Sequence, residues 1–197
     1  MSQLTDGDDE IVEALRAGIA AERGYADFDT WGDRRVKELG IGRDFAEAFR
    51  REFARDLCGI RNSLPDQDPP DLIADGGIGI EVTELVDQAL VKEAVGRKRK
   101  GIRIRPYRDW RGGDLVSELR RIIERKDGAE LKAPEALREY FLVVHTDEPG
   151  LTPGLVEHFL GDWYEPRCGL IDRAFLLLSY FPSHNGRPLY ELSLESG

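Results

Sequence analysis

Apolar residues in the stretch 8–23 fall at Ile11, Leu15 and Ile19, one side of a helix, with Asp8 and Asp9 near its start. Phe45, Phe49, Phe53 and Leu57 recur every fourth position and predict a second helix over residues 44–57. Residues 62–70 hold three prolines, cannot continue that helix and read as a connector. The period then changes. Leu72-Ile73-Ala74, the turn-forming Asp75-Gly76-Gly77 and the alternating residues 78–83 predict a β-hairpin, because glycine supplies the positive φ angles of a tight turn. In its second strand Ile78, Ile80 and Val82 point to one face, and Gly79, Glu81 and Thr83 to the other.

Further helices are expected over residues 85–99 and 113–126, the latter with Leu115, Leu119, Ile122 and Ile123 on one stripe. Residues 140–145 and 174–181 are nearly continuous apolar runs, the pattern of strands buried on both faces. A short helix over 152–160 separates them, and residues 188–194 suit an edge strand. Alternating helices and strands predict an α/β chain, a three-layer sandwich with a small mixed sheet between helices. The expected division is an N-terminal helical segment, 1–39, and an α/β domain, 40–197. The helix at 8–23 packs either on the core or on a second subunit, which would make a homodimer. No repeat or low-complexity segment breaks this order.

Composition narrows the class. At 197 residues, 41% hydrophobic and 34% charged, the chain suits one globular domain with a real core. No apolar run nears the roughly 20 residues that span a bilayer. The acidic start MSQLTDGDDE lacks the order of a signal peptide, so a cytoplasmic location is expected. Cys58 and Cys168 have no metal-ligand spacing and read as reduced thiols, with a long-range disulfide as the alternative.

A net charge of −10 argues against indiscriminate coating of nucleic acid. The charge is unevenly spread. Residues 97–111 carry eight cations against the single acid Asp109, leaving 20 basic and 37 acidic residues elsewhere. Arg97, Lys98, Lys100, Arg103, Arg105 and Arg108 form a candidate phosphate-contacting surface, with Tyr107 and Trp110 able to stack on bases. The alternative is a solvated loop whose aromatics anchor it to the core.

Two acids sit in the hairpin. Asp71 opens its first strand and Glu81 lies late in the second, so the fold-back brings both carboxylates to one end of the sheet. A carboxylate in an otherwise apolar strand is costly to bury without a partner or a metal. Hard cations such as Mg²⁺ take oxygen ligands, and one or two carboxylates with water and phosphate complete the shell. The competing reading makes Asp71 a turn acid bonded to nearby backbone N–H groups. Glu84 and Asp87 are expected in the first turn of the following helix.

Pro70-Asp71, a Gly-containing turn, then Ile80-Glu81-Val82-Thr83, all after a helix, resembles the PD-(D/E)XK nuclease superfamily. The resemblance covers roughly residues 40–185. It implies a restriction-endonuclease-like fold and Mg²⁺- or Mn²⁺-dependent phosphodiester hydrolysis of DNA, in repair or defence. It also implies metal binding by Asp71, Glu81 and the backbone carbonyl of Val82. Thr83 stands where the family normally has a catalytic lysine, and threonine supplies no cation. Lys126 lies four residues after Ile122 and seven after Leu119, near the centre of an apolar stripe, so it should point toward the sheet. As the alternative, Lys126 favours the helix dipole from the last turn and snorkels outward. Lys92 and Lys98 are weaker substitutes. The family often adds an acid from the N-terminal helix; Glu52, on the edge of the phenylalanine stripe, and Asp56 are the candidates, unless both are solvated charges. His145 reads as a core histidine at a strand end, and His158 and His184 form no pattern with it.

A catalytically silent domain of the same fold, binding nucleic acid or a protein, is the competing function, and a small-molecule hydrolase is a third.

Overall fold

The computed structural model describes residues 34–64, 69–85, 110–128, 137–148, 150–179 and 186–196. The chain divides into two compact units, Met1–Lys37 and Glu38–Gly197. The second contains the sheet. The expected helix at 8–23, most of the one at 85–99 and the whole cationic set Arg97, Lys98, Lys100, Arg103, Arg105 and Arg108 lie outside the described residues.

Helix α1, Arg34–Phe53, starts ten residues before the expected position. Glu38, Ile41, Gly42, Phe45, Ala48 and Phe49 form one buried stripe, so the helical pattern extends upstream of the phenylalanines. Ala54 ends it at φ 51°, a left-handed conformation that breaks the helix four residues before the expected end. Strand β1, Arg61–Asn62, follows. It lies where only a connector was expected. Strands β2, Leu72–Ala74, and β3, Ile78–Glu84, form the expected hairpin, with Gly76 at φ 83° and Gly77 at φ 78° in its turn. Glu84 is the last residue of β3 and not part of a helix. The N–H of Leu85 donates to the carbonyl of His145 at 2.8 Å, continuing the extended pairing.

Helix α2, Gly112–Lys126, precedes β4, Glu139–Thr146, and α3, Pro153–Leu160, whose first turn is capped by the Thr152 hydroxyl. Strands β5, Arg167–Cys168, β6, Arg173–Leu178, β7, Leu189–Leu192, and β8, Glu195–Ser196, complete the order. Six strands form one mixed sheet in the order β1-β2-β3-β4-β6-β7, and β5 pairs with β8 in a parallel ribbon. The centre, β3-β4-β6, is parallel, and the hairpin and β7 run antiparallel at its two sides.

The register assigns the faces. Ile80 pairs with Phe141, and Val143 with Phe175. On that face Phe45 and Phe49 of α1 meet the strand phenylalanines, with Phe45 to Phe175 at 5.1 Å and Phe49 to Phe141 at 5.8 Å between ring centroids. On the opposite face Tyr140, Leu142, Val144, Ala174, Leu176 and Leu178 pack with Leu115, Leu119, Ile122 and Ile123 of α2 and Val156 and Phe159 of α3. A mixed sheet with helices on both faces is therefore an α/β sandwich. Among the described residues no helix is long and apolar enough to cross a membrane.

Candidate functional site

Glu81 faces the α2 side, beside Leu142 of β4 in the parallel register. Leu72 pairs with Ile80, so one step further along the hairpin Asp71 stands opposite Glu81. Both acids are buried, at 5% and 4% exposure. The Asp71 carboxylate accepts the N–H of Val82 at 2.8 Å, which ties the strand start to the residue after Glu81. Pro70 fits there because Gly79 has no side chain. A Cβ on Gly79 would lie 3.0 Å from the Pro70 ring and 2.6 Å from Leu137.

Lys126, the last residue of α2, reaches the same place. Its ammonium donates to Oε1 of Glu81 at 2.5 Å, and its side chain is 26% exposed. The Tyr140 hydroxyl donates to the other oxygen, Oε2, at 3.3 Å. Burial, with the charge of Asp71 added, pushes the Glu81 carboxyl above its ordinary range; Lys126 and Tyr140 pull it back. Two acids that crowd each other call for a cation, and Lys126 is one that the fold supplies. Lys126 ends the expected apolar stripe of α2, whose Ile122 and Ile123 are buried against the sheet. That stripe directs the lysine inward.

Thr83 lies on the same face as Glu81, opposite Val144, and is half-buried. Glu52 does not join the pair. It is 44% exposed and bonded to Arg51 at 2.9 Å. With Glu157 and Tyr190 it lines a cavity of about 330 Å³ at the β7 edge, separated from β3 by β4 and β6. Asp56 is exposed and lies 3.9 Å from Arg50. Trp110, expected as a base-stacking residue, is 6% exposed and belongs to the core with Leu115 and Phe159, because its indole is more favourably packed than hydrated. His145 is buried in β4 and His158 lies on α3 beside Phe159. Cys58 and Cys168 are both free thiols, which excludes the disulfide.

In the sequence Tyr140 only begins an apolar run. Its place beside Glu81 comes from the pairing of β4 with β3, so no local sequence signal marks it. Asp127, directly after α2, carries no sequence motif either. Its carboxylate accepts the backbone N–H groups of Gly169, Leu170 and Ile171 at 2.8, 2.8 and 3.0 Å.

Among the described residues no group of three or more His, Cys, Asp or Glu side chains is set to hold a metal ion. The arrangement offers two buried carboxylates, a backbone strand and a cation at one end of the hairpin. No family model matches the chain, and neither the curated proteins nor the solved structures yield a match.

Proposed function

We propose that the chain is a divalent-metal-dependent nuclease of the restriction-endonuclease-like, PD-(D/E)XK kind, acting on DNA. The observation that carries this reading is the ammonium of Lys126 at 2.5 Å from Glu81, beside Asp71, where Thr83 provides no cation. A helix α1, a hairpin bearing the two acids, a helix α2 and a parallel strand β4 are the element order that such a site needs.

The donor set fits a hard divalent cation of the Mg²⁺ or Mn²⁺ type. Asp71, Glu81 and the carbonyl of Val82 would hold it, and water and a substrate phosphate would complete an open shell. When bound, such an ion lowers the pKa of a ligated water and neutralises charge on phosphate oxygens. The chain's own contributions are positional and electrostatic. Asp71, anchored by the Val82 N–H, and Glu81, held at both oxygens, keep the two carboxylates in fixed places on the hairpin. Lys126 adds a positive charge for the phosphate from a partly buried position, where such a charge counts for more than in bulk water. The cations of residues 97–111 are the proposed phosphate-contacting surface.

One observation favours a second reading, a silent domain of the same fold that binds nucleic acid or a protein. Lys126 already neutralises Glu81, and ion pair plus hydrogen bond satisfy both of its oxygens.

The deciding experiment incubates plasmid, linear and single-stranded DNA with Mg²⁺ or Mn²⁺ and compares wild type with Asp71→Ala, Glu81→Ala and Lys126→Ala. Cleavage lost in both carboxylate variants is expected. Thermal shift provides the parallel readout: ion at about 100 times its Kd should stabilise wild type by about 2.7 kcal/mol and either acid variant hardly at all. Cleavage that survives both carboxylate changes overturns the assignment. Metal binding without cleavage selects the silent domain.

A further inference from the structure

Asp127 occupies the wrong end of a helix for an acid. The C-terminus of α2 carries the negative end of the helix dipole, where a cation, glycine or asparagine is the ordinary choice. Asp127 is nonetheless the C-cap, at φ −79° and ψ −6°, with its own N–H bonded to the carbonyl of Ile123. Its carboxylate is compensated from outside the helix: the N–H groups of Gly169, Leu170 and Ile171 all point at it, within 3.0 Å. Charge-assisted bonds of this kind are strong and directional.

The next residue of the same segment does related work. Asp172 accepts the N–H of Tyr140 at 2.6 Å, and its own N–H donates to the Tyr140 carbonyl at 2.9 Å. Residues 169–172 therefore grip the chain immediately after Lys126 and the backbone of Tyr140 itself. Lys126 and Tyr140 are the two side chains that hold the oxygens of Glu81. A short surface segment between β5 and β6 fixes both supports of the buried carboxylate.

We propose that Asp127 is a positioning residue: clamped by the backbone of residues 169–171, it sets Lys126 on Glu81. That this placement serves phosphodiester cleavage rests on the nuclease reading; the placement itself does not. A residue that merely caps α2 would stabilise the fold without governing where the lysine ammonium lies.

The test reads the lysine directly and needs neither metal nor DNA. The folded protein is acetylated with an N-hydroxysuccinimide ester, and the rate at Lys126 relative to the remaining lysines is followed by peptide mass spectrometry. An ammonium held by a charge-assisted bond must open before it reacts. Releasing it in Asp127→Ala, or in the shape-conserving Asp127→Asn, is expected to speed acetylation about tenfold. Glu81→Gln should speed it similarly, and Asp127→Ala added to Glu81→Gln should speed it no further, because both changes act on one contact. If Asp127→Ala does not fold by circular dichroism, Asp127→Asn carries the comparison. An unchanged rate at Lys126 in a folded variant overturns the proposal. So does a rise shared by all lysines, which marks general loosening, or an additive rise in the double variant. Accelerated labelling in a protein that cleaves nothing would keep the clamp and discard the nuclease.

Discussion

Lys126 and Glu81 stand 45 positions apart in the chain, yet Nζ of the lysine lies 2.5 Å from Oε1 of the glutamate. The pair joins the end of α2 to the middle of β3 across the face where α2 packs on the sheet. With Asp71 opposite and Tyr140 alongside, it makes one half-enclosed polar site in an otherwise apolar layer.

Removing the lysine should be costly to the fold. Lys126→Met leaves the 4% exposed Glu81 carboxylate with the Tyr140 hydroxyl and without its cation. A loss of about 1 to 3 kcal/mol at neutral pH is expected in urea denaturation. Adding Glu81→Gln should recover part of it, since the charge that lost its partner is then gone. Equal stability of wild type and Lys126→Met would show that the contact contributes nothing.

Under the nuclease reading the cation can be moved. Thr83 lies two residues beyond Glu81 on the same face, so Thr83→Lys offers an ammonium from β3 itself. Lys126→Met should lower kcat by about 10²- to 10³-fold, the range for removing one transition-state charge donor. Thr83→Lys in that background should restore part of the rate. A double variant as inactive as Lys126→Met, while still binding Mg²⁺, would count against a charge-supplying role for Lys126.

Gly79 permits the approach of Pro70, and through it the placement of Asp71. Gly79→Val drives a branched side chain into Leu137 and the Pro70 ring, where even a Cβ has only 2.6 and 3.0 Å. A destabilisation of about 1 to 3 kcal/mol is expected. Under the nuclease reading, stabilisation by added Mg²⁺ should also weaken, and by more than the fold does. A variant with wild-type melting temperature and wild-type metal response would refute this close-packing account.

The two thiols should separate by reactivity and by pH. Cys58 is exposed, whereas Cys168 is buried, and burial, with the charges of Asp127 and Glu124 added, pushes its thiol up to about 11. A disulfide reagent at pH 8 should modify Cys58 quickly and leave Cys168 until the protein unfolds. The raised thiol also fixes a sign: its contribution to stability is intact below the ordinary value of 9.0 and is lost as pH climbs through about 11. Cys168→Ala should flatten that alkaline decline in a pH series of denaturation midpoints. An unaltered slope would contradict it.

Several elements were readable from residue pattern alone. The hairpin followed from two short apolar runs around Asp75-Gly76-Gly77, and both turn glycines have positive φ. Helix α2 followed from its 3.6-residue stripe, and the strands β4 and β6 from nearly continuous apolar runs, the pattern of strands buried on both faces. The phenylalanines mark helix α1, but its start is not legible in the pattern because Glu38, Ile41 and Gly42 continue the stripe with fewer hydrophobic residues. Strands β1, β5 and β8, with two residues each, are too short to show any period.

The candidate site divides in the same way. Local sequence put Asp71 and Glu81 at one end of a hairpin, because turn chemistry and strand alternation act over a few residues, and the register then set them opposite each other. It also put Lys126 on the inward stripe of its helix. Tertiary structure decided the rest. Only the parallel pairing of β3 with β4 brings Tyr140 beside Glu81, and only the packing of α2 on that face brings Lys126 within hydrogen-bonding distance. The same packing took Trp110 into the core, and the strand order left Glu52 at the far edge of the sheet. Periodicity fixes which way a side chain points along its own element, whereas its neighbours depend on strand order and helix docking, which long-range burial selects.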